Sequence, residues 1–258
     1  MASNTNDHST ELAADHTPDA IQQRLKAPAK HSYLRDFIYG AIDGTVTTFA
    51  VVCAVEGAGW SAKIAVILGV ANLIADGFSM GAGNFLGTRA ERQLLNRARR
   101  QEEHHIATIP EGEREEIRQI FADKGFSGKD LDRAVEIITS DPEQWVDTML
   151  REELGLALHG PSPFRAAITT FGAFVIVGLV PLLAYLLQVG AEIETSKAFV
   201  WSVILTGVAF FAVGTIKGRF VEQHWLIAGL ETLGIGALAA GMSYVLGMML
   251  SGIGGLTL

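Results

Sequence analysis

The sequence predicts an all-α integral membrane protein with five transmembrane helices and a charged helical domain, expected to be cytosolic and metal-binding, between the second and third. Three observations lead there. The chain has 258 residues, 49% of them hydrophobic, and its mean hydropathy is +0.28. The apolar residues gather in five blocks, each long enough for the about 20 helical residues that cross a hydrocarbon core about 30 Å thick. The 28 glycines suit such a bundle, because small residues let membrane helices approach closely.

In chain order, residues 1–33 come first. They are polar, rich in Asp, Asn, Ser, Thr, His and Pro, and hold no apolar core of the signal-peptide kind. They read as a disordered tail. The spans follow at approximately 34–55, 64–88, 166–188, 198–216 and 226–250, with a short tail at 251–258. The turn after the first holds Gly57, Gly59 and Trp60, and the turn after the third holds Gly190, Glu192 and Glu194. Pro181 should kink the third span, which a membrane helix tolerates when neighbours satisfy the freed carbonyls. The single cysteine, Cys53, excludes an intrachain disulfide and cysteine-based zinc sites. It reads as a small packing residue.

Residues 89–165 differ in kind. The second helix should run past Gly87 through Arg89, Glu91 and Arg92 to about His105, then break at Thr108-Ile109-Pro110. A helix from near Glu111 should stop near Gly125. Ser127, with Asp130 three residues on, should cap another over 128–139. Asp141 followed by Pro142 marks the start of a fourth, expected to end near Gly160-Pro161.

Positive charge sets the orientation. With the N-terminus in the cytosol, 18 of the 20 Lys and Arg lie inside, and only Lys63 and Lys197 lie outside. Large loops obey the rule poorly. Without residues 89–165 the count is still 6 against 2: Arg24, Lys26, Lys30, Arg35, Lys217 and Arg219. The N-terminus is therefore expected inside and the C-terminus on the opposite side. The formal charge of −8 argues against nucleic acid as a partner.

Two spans carry an acid at bilayer depth, Asp43 in the first and Asp76 in the second. Such a group costs several kcal/mol unless it faces protein, water or an ion. At 1.5 Å per residue, Asp43 and Met80 both lie about 12–14 Å from the inner end of their helices, so they can share a ligand. Asn72, Asp76 and Met80 follow one another at four-residue spacing and form a polar stripe. Carboxylate and thioether together suit a divalent transition metal. Gly44, Thr45, Thr47 and Thr48 give the first span a small, hydroxylated surface.

The charged segment repeats acids and histidine at helical spacing: Glu102 with His105, Glu113 with Glu116, and Met149 with Glu153, Glu152 beside it. Helices that aim such pairs inward build carboxylate metal sites, and oxygen with imidazole suits Fe2+, Mn2+ or Zn2+. The competing reading makes them solvated faces paired with Arg97, Arg99, Arg100, Arg114 and Arg118. Three pairs on three segments favour metal. Transport of that metal is the expected activity, with no prosthetic group. A membrane-anchored di-iron ferroxidase built on the loop carboxylates is the enzymatic alternative, and a metal sensor that does not transport is another.

Taken together, several motifs resemble the vacuolar iron transporter family, including its bacterial members, over about residues 33–250. They are Gly40-Ala41-Ile42-Asp43-Gly44 with Thr47-Thr48-Phe49, and Ala75-Asp76-Gly77-Phe78-Ser79-Met80-Gly81. Pro110-Glu111-Gly112-Glu113 with Glu116 follows, then Met149 with Glu152-Glu153-Leu154-Gly155-Leu156. Thr170-Phe171, Gly178-Leu179-Val180-Pro181-Leu182 and, in the last span, Gly234, Gly241 and Tyr244 complete the set. The resemblance implies a five-helix protomer and a homodimer with its pore between the two first helices. It implies export of cytosolic ferrous iron, often also manganese, against protons, with Asp43 and Met80 lining the path. The metal-binding loop would map to Glu102, Glu113, Glu116, Glu153 and Met149. Residence would be the cell membrane in a bacterium or a vacuolar-type membrane in a eukaryote. Two positions depart from the family: His105 stands where a glutamate is usual, and Asn72 where an acid is common. Imidazole still binds such metals, but with less charge and with affinity falling near pH 6 as it protonates.

Overall fold

The computed structural model describes residues 14–26, 31–191 and 195–251. The segment up to Ser32 is a unit by itself. It contains α1, Pro18–Lys26, which corrects the expectation of disorder over these residues. The local chemistry explains the helix. The Thr17 hydroxyl accepts from the Ala20 amide at 3.4 Å, Pro18 takes a first-turn position where its missing N–H is not needed, and Asp19 complements the helix dipole. The rest of the expected amino-terminal tail, 1–13 and 27–30, lies outside the described residues, as does 252–258 at the other end.

From Tyr33 onward the chain is a second unit, all-helical where described. Five of its helices are long and apolar enough to cross a membrane, and the chain is a multi-pass membrane protein. These are α2 (Leu34–Gly57), α3 (Ala62–Thr108), α7 (Pro163–Gly178) continuing into α8 (Leu183–Ala191), α9 (Thr195–Phe220) and α10 (Trp225–Ser251). At 47 residues, α3 is about 70 Å long. Its first half is apolar, and its second half carries Arg89 to His105 into the helical insert. Pro181 breaks the third span as expected, through a 3-10 turn over Val180–Leu182. Its carbonyl accepts from the fully buried Ser202 hydroxyl of α9 at 2.6 Å, so a neighbour meets the polar demand of the kink.

The spans pack around α2, which touches α3, α7, α9 and α10. Backbones meet directly at several crossings. A Cβ on Gly44 would lie 2.3 Å from the Phe174 carbonyl oxygen of α7, and one on Gly247 of α10 would lie 2.2 Å from that of Ala54. Phe49, Val52, Leu73, Phe174, Leu182, Tyr185 and Phe210 fill the interior. Large side chains such as Phe78, Ile176, Leu187, Leu238 and Met249 point outward, where lipid would solvate them.

The insert comprises the polar half of α3 with α4 (Pro110–Asp123), α5 (Gly128–Thr139) and α6 (Pro142–Glu152). α4 packs on α5, α5 on α6, and α6 back on α3, around Ile117, Val135, Trp145 and Met149. The Asp141 carboxylate caps α6 through the Glu143 amide at 3.0 Å. Ser127 occupies the corresponding position before α5 but its side chain makes no capping bond, contrary to expectation. A second correction concerns the end of α6, expected near Gly160. The helix closes at Glu152, where the Leu154 amide returns to the Met149 carbonyl at 3.2 Å. Gly155 then takes φ +63°, the left-handed conformation that ends helices.

Candidate functional site

In the spans, the structure brings Asp43 of α2 into electrostatic range of Asp76 of α3. Asn72 joins them to the bundle: its amide donates to the Asp76 carboxylate, and its carbonyl oxygen lies 3.5 Å from the Thr48 hydroxyl of α2. Thr48 is fully buried, whereas Asp43 and Asp76 are exposed on the single chain. Met80 is half-buried against the apolar core. Asn72, Asp76 and Asp43 therefore form one polar group across the α2–α3 contact, with Met80 one turn below Asp76.

That stripe continues further than expected. Asn84 and Thr88 follow Met80 at the same four-residue spacing. Asn84 donates to the Asp36 carboxylate at 2.8 Å and to the Thr170 hydroxyl at 2.7 Å, and its oxygen accepts from Thr88 at 3.2 Å. Asp36, Asn84, Thr88 and Thr170 thus knot α2, α3 and α7 together toward the insert. Extending the period of four beyond Met80 would have found Asn84 and Thr88; nothing in sequence spacing points to Thr170.

In the insert, α3 supplies Glu102 and His105, α4 supplies Glu113 and Glu116, and Glu153 follows the end of α6. Glu102 and Glu113 are 3% and 2% exposed. One ligand atom from each of Glu102, His105 and Glu113 lies within 4.8 Å of the others, with His105 Nδ1 at 3.4 Å from Glu113 Oε1. The Oε2 atoms of Glu102 and Glu113 are buried without a hydrogen-bond partner, although buried polar atoms are ordinarily satisfied. Burial pushes the Glu113 carboxyl up to about 7, helped by Glu116, Glu102 and Glu153 and opposed by His105. Burial likewise raises Glu102 against the pull of His105, and raises Glu153 beside Glu102 and Glu116. The site concentrates negative charge and leaves two oxygens for a cation to satisfy.

The arginines do not neutralise it. Arg99 pairs with Asp147, Arg118 with Asp132 at 2.7 Å and with Glu115, and Arg114 lies over the Trp145 ring at 5.6 Å. Among the described residues no Lys or Arg bridges to Glu102, Glu113, Glu116 or Glu153. Glu152 and Met149 are the other two expected members. Glu152 pairs with Lys124 at 2.5 Å, and Met149 is fully buried in the apolar cluster of the insert. Glu231, an acid of the last span, pairs with Lys217 at 3.0 Å.

Comparison with known proteins identifies the family. The family model described as the VIT family matches residues 34–248. Vacuolar iron transporter 1 of Arabidopsis thaliana is 35% identical over 83% of this chain and 84% of its own length. Vacuolar iron transporter 1 of Oryza sativa subsp. japonica is 33% identical over 95% and 96%, and the vacuolar iron transporter of Toxoplasma gondii is 30% identical over 94% and 82%. The match takes in all five spans and the insert between them, and the chain belongs to the VIT family.

Proposed function

We propose that this protein moves ferrous iron, and manganese as well, out of the cytosol in exchange for protons. One observation carries the reading: two buried carboxylates and an imidazole converge with two carboxylate oxygens left unpartnered, a donor set that suits a divalent cation by charge and ligand chemistry. The relatives' names supply the direction of the inference, being vacuolar iron transporters.

The insert lies in the cytosol and gathers metal through Glu102, His105 and Glu113, with Glu116 and Glu153 at the rim. Metal then passes the Asp36–Asn84 knot and reaches Asp43, Asp76 and Asn72, with the Met80 thioether beside them. The metal is cargo, and the protein carries no prosthetic group and catalyses no covalent reaction. Asp43 is exposed on one chain yet sits in a span, a costly arrangement against lipid. A second copy packed on α2 covers it, so the working unit is a homodimer. The distribution of Lys and Arg supports an N-terminus in the cytosol.

Metal flux into proteoliposomes holding the purified chain tests the reading. Flux should depend on an imposed pH gradient and fall at least tenfold in Asp43→Ala. A chain that binds metal but shows no flux, or an Asp43→Ala variant with full flux, overturns it.

A further inference from the structure

Glu56 lies in the last turn of α2, about 20 Å beyond Asp43 along the axis and on the other side of the helix. Its neighbours Val52, Cys53 and Val55 are buried, so this side of α2 is turned into the bundle. The Tyr185 hydroxyl of α8 donates to Glu56 Oε2 at 3.0 Å, and Tyr185 is 1% exposed.

An acid at a helix C-terminus opposes the helix dipole. Among the described residues, the titratable groups facing it are Tyr185 from α8 and Cys53 from its own helix. Tyr244 of α10 presents its backbone to the adjoining Gly57. Lys63 at the start of α3 and Lys197 at the start of α9 are exposed, and among the described residues no cation bridges to Glu56. A glutamine would accept the same bond from Tyr185, so packing and hydrogen bonding alone do not require an acid. What glutamate adds is the ability to take up and release a proton. An ionisable group inside a span ordinarily marks such a function.

We propose that Glu56, held by Tyr185, is the carboxyl that loads the counter-transported proton at the end of the bundle remote from the insert. This rests on the proton-exchange reading above. One proton adds to the carboxylate from the outer aqueous phase, and the same proton leaves toward the inner phase after metal is released; no other bond forms or breaks. Proton and metal use opposite sides of α2: Glu56 faces the interior of the protomer, while Asp43 faces outward.

The full-length protein in proteoliposomes tests this with anaerobic Fe2+ in two modes. One is accumulation driven by a pH gradient, and the other is Fe2+ counterflow at equal pH. Glu56→Gln should lose gradient-driven accumulation at least tenfold while counterflow persists. Tyr185→Phe should displace the pH midpoint of accumulation. Gradient-driven accumulation in Glu56→Gln equal to wild type overturns the assignment and leaves proton exchange standing. A wild type with counterflow but no response to the gradient overturns proton exchange and the assignment with it. Should Glu56→Gln not fold, an unchanged pH profile in Tyr185→Phe is the overturning result.

Discussion

The membrane bundle and the helical insert solve opposite packing problems. In the bundle, helices meet backbone to backbone, at Gly44 against Phe174 and at Gly247 against Ala54. In the insert they meet through the bulk of Ile117, Val135, Trp145 and Met149. The difference follows from the solvent. Lipid gives apolar side chains no reason to leave it, so spans associate by close contact of small residues. Water expels the apolar face of an amphipathic helix, so short helices associate by burying it. Acids are treated differently too. The bundle gives Asp76 an amide partner in Asn72, whereas the insert crowds Glu102, Glu113, Glu116 and Glu153 together. The bundle offers a neutral amide to one of its two facing acids, and the insert sets four acids against one another.

The contrast can be broken most forcefully at Gly44. A side chain there meets the Phe174 carbonyl and Cα, backbone atoms that cannot rotate away. Gly44→Leu should cost more than the ~1–3 kcal/mol typical of overpacking and leave little folded protein in detergent. Gly172, on the adjoining α7, has nothing within 4 Å of an added Cβ. Gly172→Ala should leave the unfolding temperature unchanged or raise it, since alanine favours helix by up to about 1 kcal/mol. Equal tolerance at both positions in thermal unfolding would show that the close crossing does not hold the bundle together.

Next in size is the pH dependence of the insert. An ordinary glutamate titrates at 4.5, and Glu113 in the folded chain at about 7. Between those values the folded state holds more protons than the unfolded state. Without metal, stability should therefore fall as pH rises from about 4.5 to about 7 and level off above. The full effect is on the order of 3 kcal/mol. Metal binding should strengthen over the same window, because the cation competes with the proton. Glu113→Gln should flatten the stability curve and weaken Mn2+ or Fe2+ binding by at least the ~10–100-fold that follows loss of outer-shell partners. Unfolding midpoints and calorimetric titration across pH 4–8 measure both. A metal-free wild type whose stability rises through this window would mean that burial and the neighbouring acids do not raise the Glu113 carboxyl.

Much of this was legible in the sequence, for reasons that differ between the two regions. The spans were legible because hydropathy and length decide them, and the kink because proline has no amide. The helices of the insert were legible from their caps and breaks at Pro110, Ser127 and Asp141-Pro142, although Ser127 makes no capping bond. The end of α6 was not, because Gly155 and Gly160 carry the same local signal and the chain uses the first. Helix α1 was not legible either, because polar composition outweighs a Thr-Pro-Asp start. Within the candidate site, spacing put Glu102 with His105 and Glu113 with Glu116 on common faces, but which faces converge depends on how α3, α4 and α6 pack. Spacing therefore could not separate Glu152 from Glu153, nor foresee that Met149 would enter the apolar core.

Those adjacent glutamates give the finest test of the contrast. Glu152 has left the cluster for Lys124, and the two side chains are 36% and 43% exposed. Exposed pairs of this kind contribute about 0–1 kcal/mol. Glu152→Gln should cost less than about 1 kcal/mol and leave metal stoichiometry and affinity as they are. Glu153→Gln removes one of the charges that push Glu113 upward, so the protons released on metal binding should come from a site with a lower midpoint. Because it also takes a carboxylate from the rim, affinity should drop several-fold. Calorimetric titration in buffers of different ionisation enthalpy reads proton release and affinity together. If the two variants behave alike, side-chain direction at the end of α6 does not decide which acids belong to the site, and the cluster's negative charge acts as a diffuse field. If they separate, the turn that Gly155 closes is what divides a collecting residue from a surface one.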